Sequence, residues 1–311
     1  MTNIFIAYSI VSSLFLPTLF TTPITETRTV NFGLFSQDKE DYKINSMSII
    51  HEFTVWGPNF KKKNQDYIKT FNTLGEASRK VNRNKPKTPL ITLEPWPLLG
   101  EDTNREQLLR NIAIGEYDFA IKEFCYTIQK NSFYTVTVRW GHEMEMGNNS
   151  RYPWALDNPE LYISAYRRWV DTCKSVTRKV KYMWAPAGLA GQEKFYPGNS
   201  YADFVGFGMY SYPAYDIYSL GREFGFDELL NDRYYRMNTY NKPLVIAELG
   251  IAGSGENKNN IINKLRDNRI LRERYPLLHS IVLFSDKTES WVPNVVEEPD
   301  WRLNREQLIG L

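Results

Sequence analysis

Cysteine and histidine are scarce in this chain, with two of the first and three of the second among 311 residues. Two cysteines carry no disulfide framework, so Cys125 and Cys173, both in segments that read as helices, are compatible with a bridge or with free thiols. Three histidines, His51, His142 and His279, are too few for a histidine-rich metal centre, and no metal is expected. The run His142-Glu143-Met144-Glu145-Met146 places Met146 where a zinc-binding helix requires its second histidine. Excess charge is missing too: 38 basic residues against 36 acidic ones leave +2, spread along the chain, which provides no electrostatic footprint for a nucleic acid. Gly206-Phe207-Gly208 is a lone Gly-x-Gly inside a strand, there is no phosphate loop, and Gly253-Ser254-Gly255 lacks the spacing of a nucleophile elbow, so no cofactor is expected. Low-complexity linkers and internal repeats are also lacking, and residues 28–311 read as one catalytic domain, expected to act as a monomer.

Aromatic residues, in contrast, are plentiful at 14%, with 8 Trp and 20 Tyr. They either fill a large core or offer flat apolar faces such as sugar rings stack on. Ile4 to Phe20 is an almost uninterrupted apolar run followed by a polar stretch, so residues 1–27 read as an export signal, with an uncleaved membrane anchor as the competing reading. Either places the folded part outside the cytoplasm, in a secreted, periplasmic or extracellular location. Asn148-Asn149-Ser150 matches a glycosylation sequon, a match of low specificity.

Eight short runs rich in Val, Ile, Phe and Tyr predict strands: Val30 to Phe35, Ser48 to Val55, Pro89 to Leu93, Tyr134 to Trp140, Val180 to Ala185, Phe204 to Tyr210, Pro243 to Ala247 and Ser280 to Phe284. Amphipathic stretches Asn64 to Val81, Asn104 to Lys130, Pro159 to Lys179 and Asn259 to Tyr275 predict helices between them. This is the grammar of an α/β protein. A parallel (β/α)8 TIM barrel accounts for eight strands with crossovers, and a doubly wound open sheet shares the same local pattern.

Barrel enzymes place their chemistry at the carboxyl ends of the strands, and here Glu94, Trp96, Arg139, His142, Glu143, Trp184, Tyr210 and Glu248 all fall there. Glu143 and Glu248 are 105 residues apart, three βα units at roughly 35 residues each, which puts them on strands four and seven with carboxylates able to meet across the barrel mouth. Two such carboxylates are what glycosidic cleavage needs: one to protonate the leaving oxygen, the other to face the anomeric carbon. Each residue also has a plainer reading. Glu143 fits a helix start, Glu248 the surface beyond a strand, His142 a structural histidine, and Tyr210, Trp96, Trp154 and Trp184 the core. Arg139 beside the nucleophile would keep that carboxylate ionised, or it pairs with some other acid. Glu94 reads as a rim carboxylate that binds a hydroxyl.

The block His142-Glu143-Met144, with Tyr152-Pro153-Trp154, Asn158-Pro159-Glu160 and Tyr166-Arg167-Arg168, resembles glycoside hydrolase family 26. So do Met183-Trp184, Tyr196-Pro197-Gly198, Tyr201 to Gly206, Lys242 to Gly250 and Asp300-Trp301-Arg302, in order from about Pro89 onward. The resemblance implies a clan A barrel with Glu143 as acid/base, Glu248 as nucleophile and retention of configuration. It further implies that the Tyr210 hydroxyl bonds the nucleophile and that His142 and the rim aromatics Trp96, Trp154 and Trp184 serve the sugar-binding subsites. Three departures bear on substrate: Glu145-Met146 before Gly147, a single tryptophan (Trp154) after the acid, and Phe284-Ser285-Asp286 at the eighth strand instead of a tryptophan platform. They favour a β-glucan, β-1,4 or mixed-linkage, over β-mannan, cut in endo fashion. A non-hydrolytic carbohydrate-binding or exopolysaccharide-synthesis accessory protein on the same barrel, and a transglycosylase, stay open as alternatives.

Overall fold

The computed structural model of the protein describes residues 29–56, 69–76, 87–96, 105–131, 135–148, 150–288 and 297–311. Eight parallel strands form a closed barrel: β1 (Asn31–Ser36), β2 (Met47–Trp56), β3 (Thr88–Pro95), β4 (Val136–Trp140), β5 (Val180–Trp184), β6 (Phe204–Ser211), β7 (Leu244–Ile251) and β8 (Leu278–Ser285). Each pairs with the next, and β8 closes on β1 over six residue pairs from Asn31 with Ser280 to Ser36 with Ser285. That closure excludes the open doubly wound sheet.

Helices cover the outside. Residues 69–76 are helical (α1), followed by α2 (Arg105–Ile114), α3 (Asp118–Lys130), α4 (Pro159–Lys174), α5 (Pro213–Leu220), α6 (Phe226–Met237), α7 (Gly255–Arg266), α8 (Asn268–Arg274) and α9 (Arg305–Ile309). The α4 sequence shows why: Asn158 caps the first turn through Leu161 N–H, Pro159 follows, and Tyr162, Ala165, Tyr166, Trp169, Val170 and Cys173 recur on one buried face. Two predicted helices are each broken in two. The stretch 104–130 splits at Gly115, whose φ of +92° ends α2, and the stretch ending at Tyr275 splits at Asp267, which caps α8 through Ile270 N–H. The expected helix from Asn64 to Val81 is seen in part, its ends lying outside the described residues.

Cys125 on α3 and Cys173 on α4 form a disulfide with a Cα–Cα separation of 5.5 Å, which resolves the choice left open by the sequence. Residues 1–28, with the expected signal or anchor, lie outside the described residues. Among the described residues no helix is long and apolar enough to cross a membrane.

The barrel interior is layered. Leu90, Met183, Ala185, Val245, Ala247 and Val282 make an apolar floor. Beyond it toward the strand ends, His51, Thr92, Arg139 and Glu248 form a buried polar layer. The larger apolar cluster fills the space between barrel and helices, where Trp140, Trp169, Tyr162 and Tyr166 interlock.

Candidate active site

Strand periodicity alone would turn Val245, Ala247 and Leu249 inward and leave Glu248 outside. The pairing register breaks this pattern: Phe207 pairs with Ile246 but Gly208 with Glu248, and on the other side Ile246 pairs with Ile281 but Leu249 with Leu283. The bulge at Ala247–Glu248 re-aims the strand, so Ala247 joins the barrel floor and Glu248 turns to the mouth while Leu249 packs outward. Glu248 is thus a buried strand residue, not the surface residue beyond a strand that one reading allowed.

Glu143 reaches the same place by a different device. It follows β4 in a left-handed backbone conformation, φ +55°, unusual for a residue with a side chain, and its N–H donates to the Ala185 carbonyl at 2.9 Å. Its carboxylate lies over Gly208, where a side-chain carbon would stand 3.3 Å from Oε1. One ligand-capable atom each from His142, Glu143 and Glu248 fit within 4.8 Å of one another, which brings the two carboxylates face to face.

Their environments differ. Glu248 accepts from Arg139 Nη1 on one oxygen and from the Tyr210 hydroxyl on the other. Arg139 is completely buried, and Tyr210 keeps its proton because burial and then the negative charge of Glu248 push its ionisation far up. Glu143 is partly exposed and lacks an ion pair within 4 Å among the described residues. Burial first, then the charge of Glu248, raise its carboxyl to about 7, against the opposing pull of Arg139 and a hydrogen bond from Tyr152.

Gly250 makes room for Tyr210, since a side-chain carbon there would fall 2.3 Å from the Tyr210 ring and 2.9 Å from Trp301. Trp301, fully buried, meets Tyr210 edge-on at 5.1 Å and donates to the Thr288 hydroxyl at 3.0 Å, bracing the tyrosine. His142 is buried and neutral, held far below its ordinary value by burial and by Arg139. Its Nε2 lies 3.2 Å from the Tyr152 hydroxyl, which also accepts from Arg151 at 3.1 Å.

The expected rim aromatics separate. Trp96 is partly exposed, edge-on to Trp154 at 5.7 Å, and donates to Glu94 Oε2 at 3.0 Å. Glu94 is therefore in part committed to Trp96, and burial raises its carboxyl. Trp154 and Trp184 are each 0% exposed and offer no face to a sugar. Trp154 donates to the His142 carbonyl and stacks on Tyr152 at 4.7 Å, buttressing the residue before Glu143, while Trp184 packs between Tyr196 and Tyr240. For these two the core reading replaces the stacking one, because neighbouring aromatic rings enclose both indoles completely. Glu145, an extra carboxylate two residues beyond Glu143, accepts from the Gly188 and Leu189 N–H groups at 2.9 and 3.1 Å, holding that loop.

Sequence reasoning assigned no role to Tyr152, Thr92, His51 or the aromatic wall of Phe35, Phe53 and Phe284. Phe35 stacks on Phe284 at 5.1 Å, Phe53 meets both edge-on, and Phe53 lies 6.4 Å from the His142 ring. Inward alternation on β1, β2, β3 and β8 was the available signal for all but Tyr152.

Comparison with known proteins places this geometry in context. Residues 120–269 match Glycosyl hydrolase family 26. Endoglucanase H of Acetivibrio thermocellus is 23% identical over 281 residues, covering 83% of this chain but 26% of the relative, so the chain spans about a quarter of that protein's length. Among solved structures, the GH26 beta-mannanase BoMan26A from Bacteroides ovatus superposes with a TM-score of 0.57 at 15% identity, over 91% of this chain and 87% of its own. GH26C from Muricauda sp. MAR_2010_75 superposes with a TM-score of 0.61 at 13% identity, over 91% and 84%. These likenesses, at such identities, are likenesses of fold.

Proposed function

We propose, on the match of residues 120–269 to Glycosyl hydrolase family 26, that the chain cleaves a β-linked polysaccharide by double displacement, with Glu143 as acid/base and Glu248 as nucleophile. The observation that carries this reading is the facing carboxylate pair in unequal surroundings. Glu143, with its carboxyl raised to about 7, is protonated in about half of the molecules at pH 7 and in most below it, and can deliver that proton to the leaving oxygen. Glu248, paired with Arg139 and bonded by Tyr210, faces it with the anionic charge that attack on the anomeric carbon requires. Ligand atoms within 4.8 Å of one another are in keeping with retention, for which carboxyl groups stand about 5–5.5 Å apart, rather than with inversion at about 6.5–9.5 Å. Once Glu248 is esterified its charge is gone, a cause of the raised Glu143 value disappears, and Glu143 becomes the base that activates water.

For substrate, a β-1,4- or mixed-linkage β-glucan cut in endo fashion is the first choice and β-mannan the second. The Phe284 wall in place of a tryptophan platform and the name of the curated relative, an endoglucanase, support the first; the mannanase among the solved structures supports the second. A transglycosylase would use the same residues and differ in the acceptor, which product analysis with an added oligosaccharide separates. The accessory-protein reading has no structural observation in its favour. The Cys125–Cys173 bridge fits an oxidising compartment, in line with a location outside the cytoplasm.

The test is reducing-end release from β-glucans, mannans and xylans by residues 28–311 beside Glu248→Ala. Release from one polymer, abolished in the variant, is the expected outcome. Binding without release would instead transfer the protein to the accessory class.

A further inference from the structure

Arg139 has five N–H donors, yet only Nη1 is partnered among the described residues: Nε and Nη2 are buried without a hydrogen-bond partner. A guanidinium anchored at one nitrogen is free to swing unless the other hydrogen of that nitrogen is also held. It is held, by Thr92 Oγ1 on β3 at 3.3 Å. Thr92 in turn lies 2.7 Å from His51 Nε2 on β2, and both residues are fully buried.

From this string we propose that Thr92 and His51 are positioning residues for the nucleophile, fixing Arg139, and through it Glu248, from within the buried polar layer of the barrel. The inference rests on the hydrolase reading of the same site.

The hydrogen-bond polarity follows from the groups. Arg139 only donates, so Thr92 Oγ1 accepts from it, and the same hydroxyl is hydrogen-bonded to His51 Nε2. His51 is neutral there, because burial first, then Arg139, keep it far below its ordinary value. The aromatic rings of Phe35 and Phe53, 5.9 and 4.5 Å from the imidazole, hold the other sides. Three adjacent strands thus contribute one residue each to a path ending at the reacting carboxylate. Neither Thr92 nor His51 reaches the cleft, so neither touches substrate.

The experiment compares wild type, Thr92→Val and Thr92→Ser by pH-rate profile, thermal midpoint and crystal structure. The groups facing Glu248 besides Arg139 are Glu143, His142, Glu94, Tyr152 and Tyr210, and all are left in place by these variants. Val keeps the shape and removes the hydroxyl. It is expected to lower kcat about tenfold, the share of one hydrogen bond to a charged group, with KM within twofold. Ser should restore kcat. In the crystal structure of Thr92→Val, Arg139 should leave its place against Glu248. An unmoved Arg139 with unchanged kcat overturns the inference, as does an equal loss in Val and Ser. Absence of turnover in wild type would overturn the hydrolase reading instead, while the position of Arg139 in Thr92→Val would still decide this one.

Discussion

At the scale of single residues, the site works by giving two identical side chains different surroundings. Tyr210 donates to Glu248, a charge-assisted bond of the kind worth about 1.5–3 kcal/mol. Tyr210→Phe is accordingly expected to lower kcat about 10- to 100-fold with little change in thermal midpoint, measured by steady-state kinetics on the polymer that wild type cleaves. The tryptophans divide by exposure. Trp184→Ala should cost about 3–5 kcal/mol of stability, as a cavity in the core does, and leave KM near wild type, whereas Trp96→Ala should raise KM and leave the thermal midpoint nearly unchanged. An unchanged midpoint in Trp184→Ala would argue against its place in the core. Sequence position put Glu143, Glu248, Arg139 and Tyr210 at one rim because each ends or borders a strand, and the fold gathers them there. It did not foresee the burial of Trp154 and Trp184, since adjacency to a strand end does not say how an indole is enclosed.

At the scale of elements, the bulge in β7 matters most. A regular strand would have turned Leu249 into the mouth and Glu248 into the helix layer; one extra residue exchanges them. The left-handed turn at Glu143 does the same work on β4, and α3 and α4, which cover that side of the barrel, are tied by Cys125–Cys173 across 48 residues of sequence. Replacing both cysteines by serine is expected to reduce unfolding stability by about 2–4 kcal/mol, read as a lower denaturant midpoint, with the catalytic constants of the surviving enzyme unchanged. Equal midpoints with and without the bridge would mean that packing of the α4 face alone holds the pair. The helix breaks at Gly115 and Asp267 belong to this scale too. The apolar periodicity carries through both, so pattern alone joins what glycine geometry and an aspartate cap divide.

At the scale of the whole molecule, the proton on Glu143 links the proposed acid role to stability. In the unfolded chain its carboxyl returns to the ordinary value near 4.5; in the fold it is raised to about 7. A group raised on folding contributes stability that is fully present below the unfolded value and is lost as pH rises through the folded one. Glu143→Gln, which cannot ionise, should therefore be more stable than wild type above pH 7 and lose that advantage below about 4.5. In wild type kcat/KM should fall on the alkaline side near the same pH of about 7 as the acid is lost. Denaturant midpoints and rate profiles over pH 4 to 9 test both, and a stability difference independent of pH would place the raised value elsewhere. The sequence by itself determined the eight strands, the helices between them and the carboxylates at the strand ends, because side-chain periodicity and capping are local properties of the chain. Only the tertiary structure decided that the sheet closes, that Cys125 meets Cys173, which tryptophans face the core, and that Thr92 and His51 stand beneath Arg139. Those relations join residues far apart in sequence, and no local pattern encodes which of many compatible neighbours the closed barrel brings within a hydrogen bond's reach.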